Sequence, residues 1–230
     1  MKAVENSVRI GCVCFDWGGV ILRICRSMEE GARRAGLEWR PECQTPERKA
    51  RRRQLSLLSQ TGRLAPQDLA PRMSDAMDGI YSAEEFQRLH DAWLIEEYAG
   101  AGALLSALTA REDVTTAMLS NTDAWHWARR SESSSRGLAH FPSAAMVRHA
   151  HASHLLGLMK PDAGIYDAFC RVTAIVPTSI LFFDDLEENV QAARSRGWHA
   201  ERIDPDRETA PQITQHLERY GVTVPARAAG

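Results

Sequence analysis

The chain has 230 residues, 44% hydrophobic and 25% charged, ordinary proportions for a globular protein whose core needs no disulfide staples. Basic and acidic residues nearly cancel, 28 against 30, so no global positive field draws nucleic acid. Composition excludes collagen-like, coiled-coil and disordered classes, and no apolar run is long enough for a membrane span.

At about 150 residues per domain, the length suits one domain carrying a smaller insert. The segment MKAVENSVRIG lacks the long apolar stretch of a secretory signal. Five cysteines, Cys12, Cys14, Cys25, Cys43 and Cys170, form no CxxC pair. Their odd number points to reduced thiols and a cytoplasmic setting. Cys12 and Cys14 alternate in an apolar run, which predicts small buried hydrophobes on one strand face.

Val8 to Phe15 is apolar and β-branched and runs into Asp16-Trp17-Gly18-Gly19, the pattern of a buried strand ending in a polar glycine turn. Helical patterning dominates from about 23 to 98, with no convincing strand. This block holds the basic run Arg48–Arg53, which could recruit an anionic substrate or a nucleic acid but is expected as a solvated helix face, and a capping sequence at Ser82-Ala83-Glu84-Glu85. From about 99, helices and strands alternate. Helices are predicted at Ala103–Leu108, Asp162–Thr173 and Glu187–Arg196, the last ending at Gly197. Strands are predicted at Val114–Leu119, Ala144–Val147 (weak), Ser179–Phe183 and His199–Ile203. The polar segment Arg129–Gly137 is predicted to be a mobile loop and the tail from Val224 to be frayed. His140, His149, His151 and His154 are read as loop and surface groups, and Trp93, Trp125 and Trp127 as packing residues. Such alternation gives a parallel sheet covered on both faces.

In a doubly wound sheet, ligands bind beyond the carboxyl ends of the strands. Three predicted strands deliver Asp16, then Ser120 and Asn121, then Asp184 and Asp185 to that edge, and Lys160 precedes a helix in the same half. Three carboxylates cannot stay ionised side by side without a counter-charge. A hard divalent cation such as magnesium supplies one, and together with a lysine and a hydroxyl it suits phosphoryl transfer.

Four stretches, FDWGGVI (15–21), LSNTD (119–123), SHLLGLMKPDAGIY (153–166) and FFDDLEENVQAARSRGW (182–198), together resemble the ordered motifs of the haloacid dehalogenase-like (HAD) hydrolase superfamily. The resemblance implies an α/β fold: a Rossmann-like three-layer core from 1–22 and 98–230, with a helical cap inserted at 23–97. It implies that Asp16 is a nucleophile forming an aspartyl-phosphate. Magnesium would be held by Asp16, the Gly18 carbonyl, Asp185 and Asp184, the latter directly or through water. Ser120 and Asn121 would hold the phosphoryl group, Lys160 would neutralise charge, and Asn189 would orient the acidic pair. Gly19 and Trp17 are further substrate-side candidates, Trp17 being equally suited to packing against the cap.

The commonest family pattern has a second Asp where this chain has Gly18, as in an Asp-x-Gly-Gly-Val subgroup resembling sugar-phosphate phosphatases. Losing a general acid-base costs about 10²–10⁴-fold, least when the leaving group needs no proton. Asp123, His126 or a cap residue are candidate replacements. The expected function is a magnesium-dependent phosphatase of a small metabolite such as a sugar phosphate, acting as a monomer or homodimer without nucleic acid or membrane. The alternatives are a haloacid dehalogenase, a phosphomutase, and a non-catalytic protein that binds a phosphorylated ligand.

Overall fold

The protein is described here from a computed structural model, over residues 9–135 and 137–224. Val8, at the head of the predicted first strand, and 225–230 of the predicted frayed tail lie outside them. Five strands, β1 (Cys12–Phe15), β4 (Thr115–Ser120), β5 (His149–Ala152), β6 (Ile180–Asp184) and β7 (His199–Arg202), form one parallel sheet in the order β5-β4-β1-β6-β7. Every residue of the central strand β1 is buried. Val13 and Phe15 face a layer with Met118, Leu181 and Phe183. Cys12 and Cys14 face the opposite layer with Leu119 and Phe182, on one strand face as the alternation predicts. Helices α5 (Ala101–Thr109) and α10 (Thr209–Arg219) cover the first face, and α8 (Ala163–Thr173) and α9 (Glu187–Ser195) the second. The predicted Rossmann-like three-layer core is therefore present.

Register places the strand ends side by side. Phe15 lies opposite Met118 on β4 and Phe183 on β6, so Asp16 continues level with Leu119 and Asp184. The Asp16 N–H donates to the Phe183 carbonyl at 2.8 Å, which anchors the residue at the moment the chain leaves the sheet.

Between β1 and α5 the chain builds four helices: α1 (Met28–Arg34), α2 (Pro46–Gln60), α3 (Pro66–Ala76) and α4 (Ala83–Asp91). They enclose their own apolar cluster, including Leu55, Met73, Met77, Tyr81 and Phe86. The Ser82 cap forms as predicted: its side chain accepts from the Glu85 N–H while Glu85 reaches back to the Ser82 N–H. Such a cap contributes about 1 kcal/mol.

Several expectations are corrected. The block is flanked by an antiparallel ribbon, β2 (Leu22–Ile24) with β3 (Leu94–Glu97), where no strand was predicted. Each partner is short and carries charge, so only the long-range pairing reveals it. The predicted strand at 144–147 is a 3-10 turn, Pro142–Ala145, started by a proline that has no N–H for a ladder. The edge strand lies further on at 149–152, so His149 and His151 are strand residues with near-parallel rings, not loop groups. The predicted mobile loop contains a 3-10 turn at Glu132–Ser134. Its first residue, Arg129, is buried and donates to the Ala139 and Asp91 carbonyls.

A polar clasp joins the helical block to the core. His90, at the end of α4, meets Asp123 at 2.9 Å, and Asp123 caps α6 (Ala124–Ala128) by accepting from the His126 N–H. The His126 ring stacks on His90 at 3.8 Å, and its Nε2–H donates to the His90 carbonyl at 2.8 Å. A carbonyl can only accept, so Nδ1 of the neutral ring carries the lone pair. Burial and the neighbouring His90 lower the His126 pKa to about 4, although Asp123 pulls the other way. Because the folded value lies below the unfolded one of about 6.5, this contribution is intact above pH 6.5 and is lost as pH falls toward 4. We expect thermal stability to drop across that window by up to about 3 kcal/mol through this group. Unfolding curves of a His126→Gln variant should show a shallower slope there; an unchanged slope would contradict the assignment.

Candidate active site

The edge where β1, β4 and β6 end collects the predicted residues. The Lys160 ammonium, fully buried, lies 3.0 Å from Asp16 Oδ2 and 2.7 Å from Asp184 Oδ2. Oxygens of Asp16, Asp184 and Asp185 lie within 4.8 Å of one another. Burial lifts the Asp16 pKa above the ordinary carboxyl range; Asp184 and Asp185 add to this, while Lys160 and the Ser120 hydroxyl oppose it. For Lys160, burial works against the charge, and the Asp16 and Asp184 carboxylates overcome it and raise the pKa. Asp16 also accepts the Trp17 N–H at 2.7 Å through Oδ1, so each of its oxygens is already oriented.

Asp184 is held from three sides: by Lys160, by the Leu186 N–H and by the Asn189 amide, the last two at 2.9 Å from Oδ1. Asn189, expected to orient the acidic pair, thus touches Asp184 of that pair. Asp185 takes a different partner, Arg26, at 2.9 Å. Burial raises its pKa and Arg26 opposes the shift.

The two glycines that follow Asp16-Trp17 differ in their reasons. Gly19 has φ +80°, and a Cβ there would sit 2.5 Å from the Asp185 carboxyl. Only a residue without a side chain fits both the left-handed backbone and the carboxylate. Gly18 bridges to Leu22, and a Cβ there would meet Ile24 Cδ1 at 3.0 Å.

Ser120 is buried beside Asp16. The Asn121 side chain, expected to hold a phosphoryl group, is instead engaged at both ends by Lys160. Its amide donates to the Lys160 carbonyl at 2.8 Å and its oxygen accepts the Lys160 N–H at 2.9 Å. It braces the loop that presents the ammonium.

A cavity of about 280 Å³ opens beside this cluster. Trp17, Gly18, Ser120 and Asn121 line its floor, and helices of the inserted block form its roof. Trp17 both lines the cavity and packs edge-on against Trp127 and Phe141. Trp93, expected only to pack, also lines it, while Trp125 donates to Asp91 across the clasp. Sequence reasoning missed Arg26, Arg52 and His90. Arg52 does carry a signal: with Ser56 and Ser59 it makes a polar stripe at helical spacing on α2. Arg26 and His90 carry none, because their partners are 159 and 33 residues away.

No family model matches the chain. A curated phosphatase from Mycobacterium tuberculosis is 33% identical over 70 residues, a match covering 30% of this chain and 32% of that protein. The chain thus spans about a third of the length of that relative. Among solved structures, a HAD family enzyme from Bacteroides thetaiotaomicron, in complex with magnesium and inorganic phosphate, superposes with TM-score 0.70 at 21% identity. That match covers 89% of this chain and 99% of that one. A predicted HAD-like family hydrolase from Porphyromonas gingivalis gives TM-score 0.69 at 22% identity over 90% and 98% of the two chains. An L-2-haloacid dehalogenase from Xanthobacter autotrophicus, with chloropropionic acid covalently bound, gives 0.54 at 16% identity over 94% and 85%. Motifs, sheet order and these likenesses agree: the chain has the fold of the haloacid dehalogenase-like hydrolases.

Proposed function

We propose that the protein is a magnesium-dependent phosphatase of a small phosphorylated metabolite, working through an aspartyl-phosphate on Asp16, with the block at 23–97 as its cap. The observation that carries this reading is the buried ammonium of Lys160 held between Asp16 and Asp184 at the strand ends. The curated relative named as a phosphatase and the solved relative holding magnesium and phosphate support it.

The donor set fits the cation. Three carboxylates within reach of one another offer hard oxygen ligands, and the missing Cβ at Gly19 leaves room on one side of Asp185, Arg26 lying on another. Asp16, Asp184, Asp185 and the Gly18 carbonyl would hold the ion, which when bound neutralises charge on the phosphoryl oxygens. The protein's own residues do the rest. Asp16 attacks phosphorus through a carboxylate oxygen, and the bond to the leaving oxygen breaks. Lys160 opposes the protonation of Asp16 that burial favours and offsets the added negative charge. Ser120 donates its hydroxyl to a phosphoryl oxygen, and Asn121 positions Lys160. Water then hydrolyses the acyl phosphate and frees inorganic phosphate. The cap closes water out and selects the substrate.

Gly18 supplies no acid to the leaving oxygen. The nearest cap-borne candidate is His90, hydrogen-bonded to Asp123, and both line the cavity beside Ser120. This narrows the replacements expected from the sequence. His126 is tied to the His90 carbonyl and held neutral, and Asp123 is held below the ordinary carboxylate range, against its burial, by His90 and the His126 backbone N–H.

A panel of phosphomonoesters should release phosphate only with magnesium present. Asp16→Asn should lower kcat by at least about 10⁴-fold while the product complex still forms. Phosphate release unaffected by a chelator, or by that substitution, would remove the phosphatase reading and favour dehalogenation or ligand binding without turnover. In a leaving-group series at pH 7, wild type should depend weakly on leaving-group pKa. His90→Gln should depend steeply, losing about 10²-fold on alkyl phosphates and little on aryl phosphates. Equal slopes would exclude His90 as the acid.

A further inference from the structure

Arg52 stands apart from the other arginines of the helical block. Arg40 pairs with Glu85, and Arg48 and Arg51 share Asp78. Arg52, half-buried between them, has no carboxylate partner among the described residues. Its Nη2 donates to the Cys43 carbonyl at 3.1 Å, its Nη1 lies against the Met28 sulfur, and its Nε–H is buried with no acceptor. A guanidinium removed from water without a counter-charge is unfavourable, and here burial lowers its pKa. A protein retains such a group where an anion completes it.

Its location says which anion. Arg52 lines the cavity that reaches Ser120 and Gly18, and also the more open groove that continues outward past Lys49 and Arg53. One acid, Glu29, faces that groove, and Arg26 there is already committed to Asp185. On α2, Arg52, Ser56 and Ser59 point into the cavity from one helix face, at spacings of four and three residues. Between this stripe and the catalytic floor the wall is apolar, with Met28, Met73, Phe86, Leu89 and Trp93. An aromatic or aliphatic body is well matched to that stretch of wall.

We infer that Arg52 is a specificity residue that binds a second anionic group, a carboxylate, carried by the substrate across an apolar body from the phosphoryl group. This rests on the phosphatase reading of the site and replaces the sugar phosphate expected from the sequence with a phosphorylated apolar acid. Guanidinium is suited to the task because its planar donors match carboxylate geometry.

The test uses non-hydrolysable probes, so binding is read without turnover. Phenylphosphonate is compared with its 3-carboxy and 4-carboxy derivatives in the presence of magnesium, following the fluorescence of Trp17 and Trp93 at the cavity wall. At least one carboxylated probe should bind the wild type tenfold or more tightly than phenylphosphonate. Arg52→Gln should abolish that preference while leaving phenylphosphonate affinity within about twofold. Arg52→Met retains the apolar stem if the glutamine variant folds poorly, and should behave alike; Arg52→Lys should keep part of the preference. Equal binding of all three probes by wild type, no binding of any, or a preference surviving both neutral variants overturns the inference. Preference for the carboxylate without any phosphomonoester hydrolysis would instead mean that the phosphatase reading fails while Arg52 keeps its ligand. Hydrolysis without preference would mean the reverse.

Discussion

The whole site depends on charge balance at one buried ammonium. Lys160 touches carboxylates delivered by two different strands, in a place where an isolated ion would be neutralised. The arrangement is stable only because each member is held by something rigid. Asp16 is fixed by its neighbour's N–H and by the sheet, Asp184 by Leu186 and Asn189, and the lysine loop by both atoms of Asn121. Removing one partner would strand a charge, a change that typically costs several kcal/mol in a buried pair. The same constraint fixes the edge of the sheet in the arrangement the proposed phosphoryl transfer needs.

Much of the core was legible in the sequence because it is written in short-range terms. An apolar run such as Cys12–Phe15 must be a buried strand, and its end must present Asp16. Gly197, at φ +82°, closes α9 as its place after the predicted helix implies. What the sequence hid was long-range pairing. The β2–β3 ribbon has too few residues to show a period. The edge strand at 149–152 alternates two histidines with two alanines, and only pairing with β4 makes it a strand. Arg26 and His90 look like any surface polar residue until the fold brings Asp185 and Asp123 to them.

The histidine clasp and the cavity are one construction seen from two sides. His90, Asp123 and His126 hold the helical block on the core, and the same three residues line the space above the catalytic floor. Chemistry and domain contact therefore share groups. A change at His90 touches both, and a change at Arg52 touches only the far wall. The division suits the proposed function, with the reaction at the strand ends and selectivity in the inserted helices.

The paired glycines at 18 and 19 are not interchangeable. At the first, an added side chain would press on the tip of a pliable isoleucine; at the second, it would collide with the Asp185 carboxyl held by Arg26, on a backbone that disfavours any side chain. Descent from, or return to, a version of this loop with its own proton donor is thus open at one position and barred at the next. Natural variation in this turn should record that inequality.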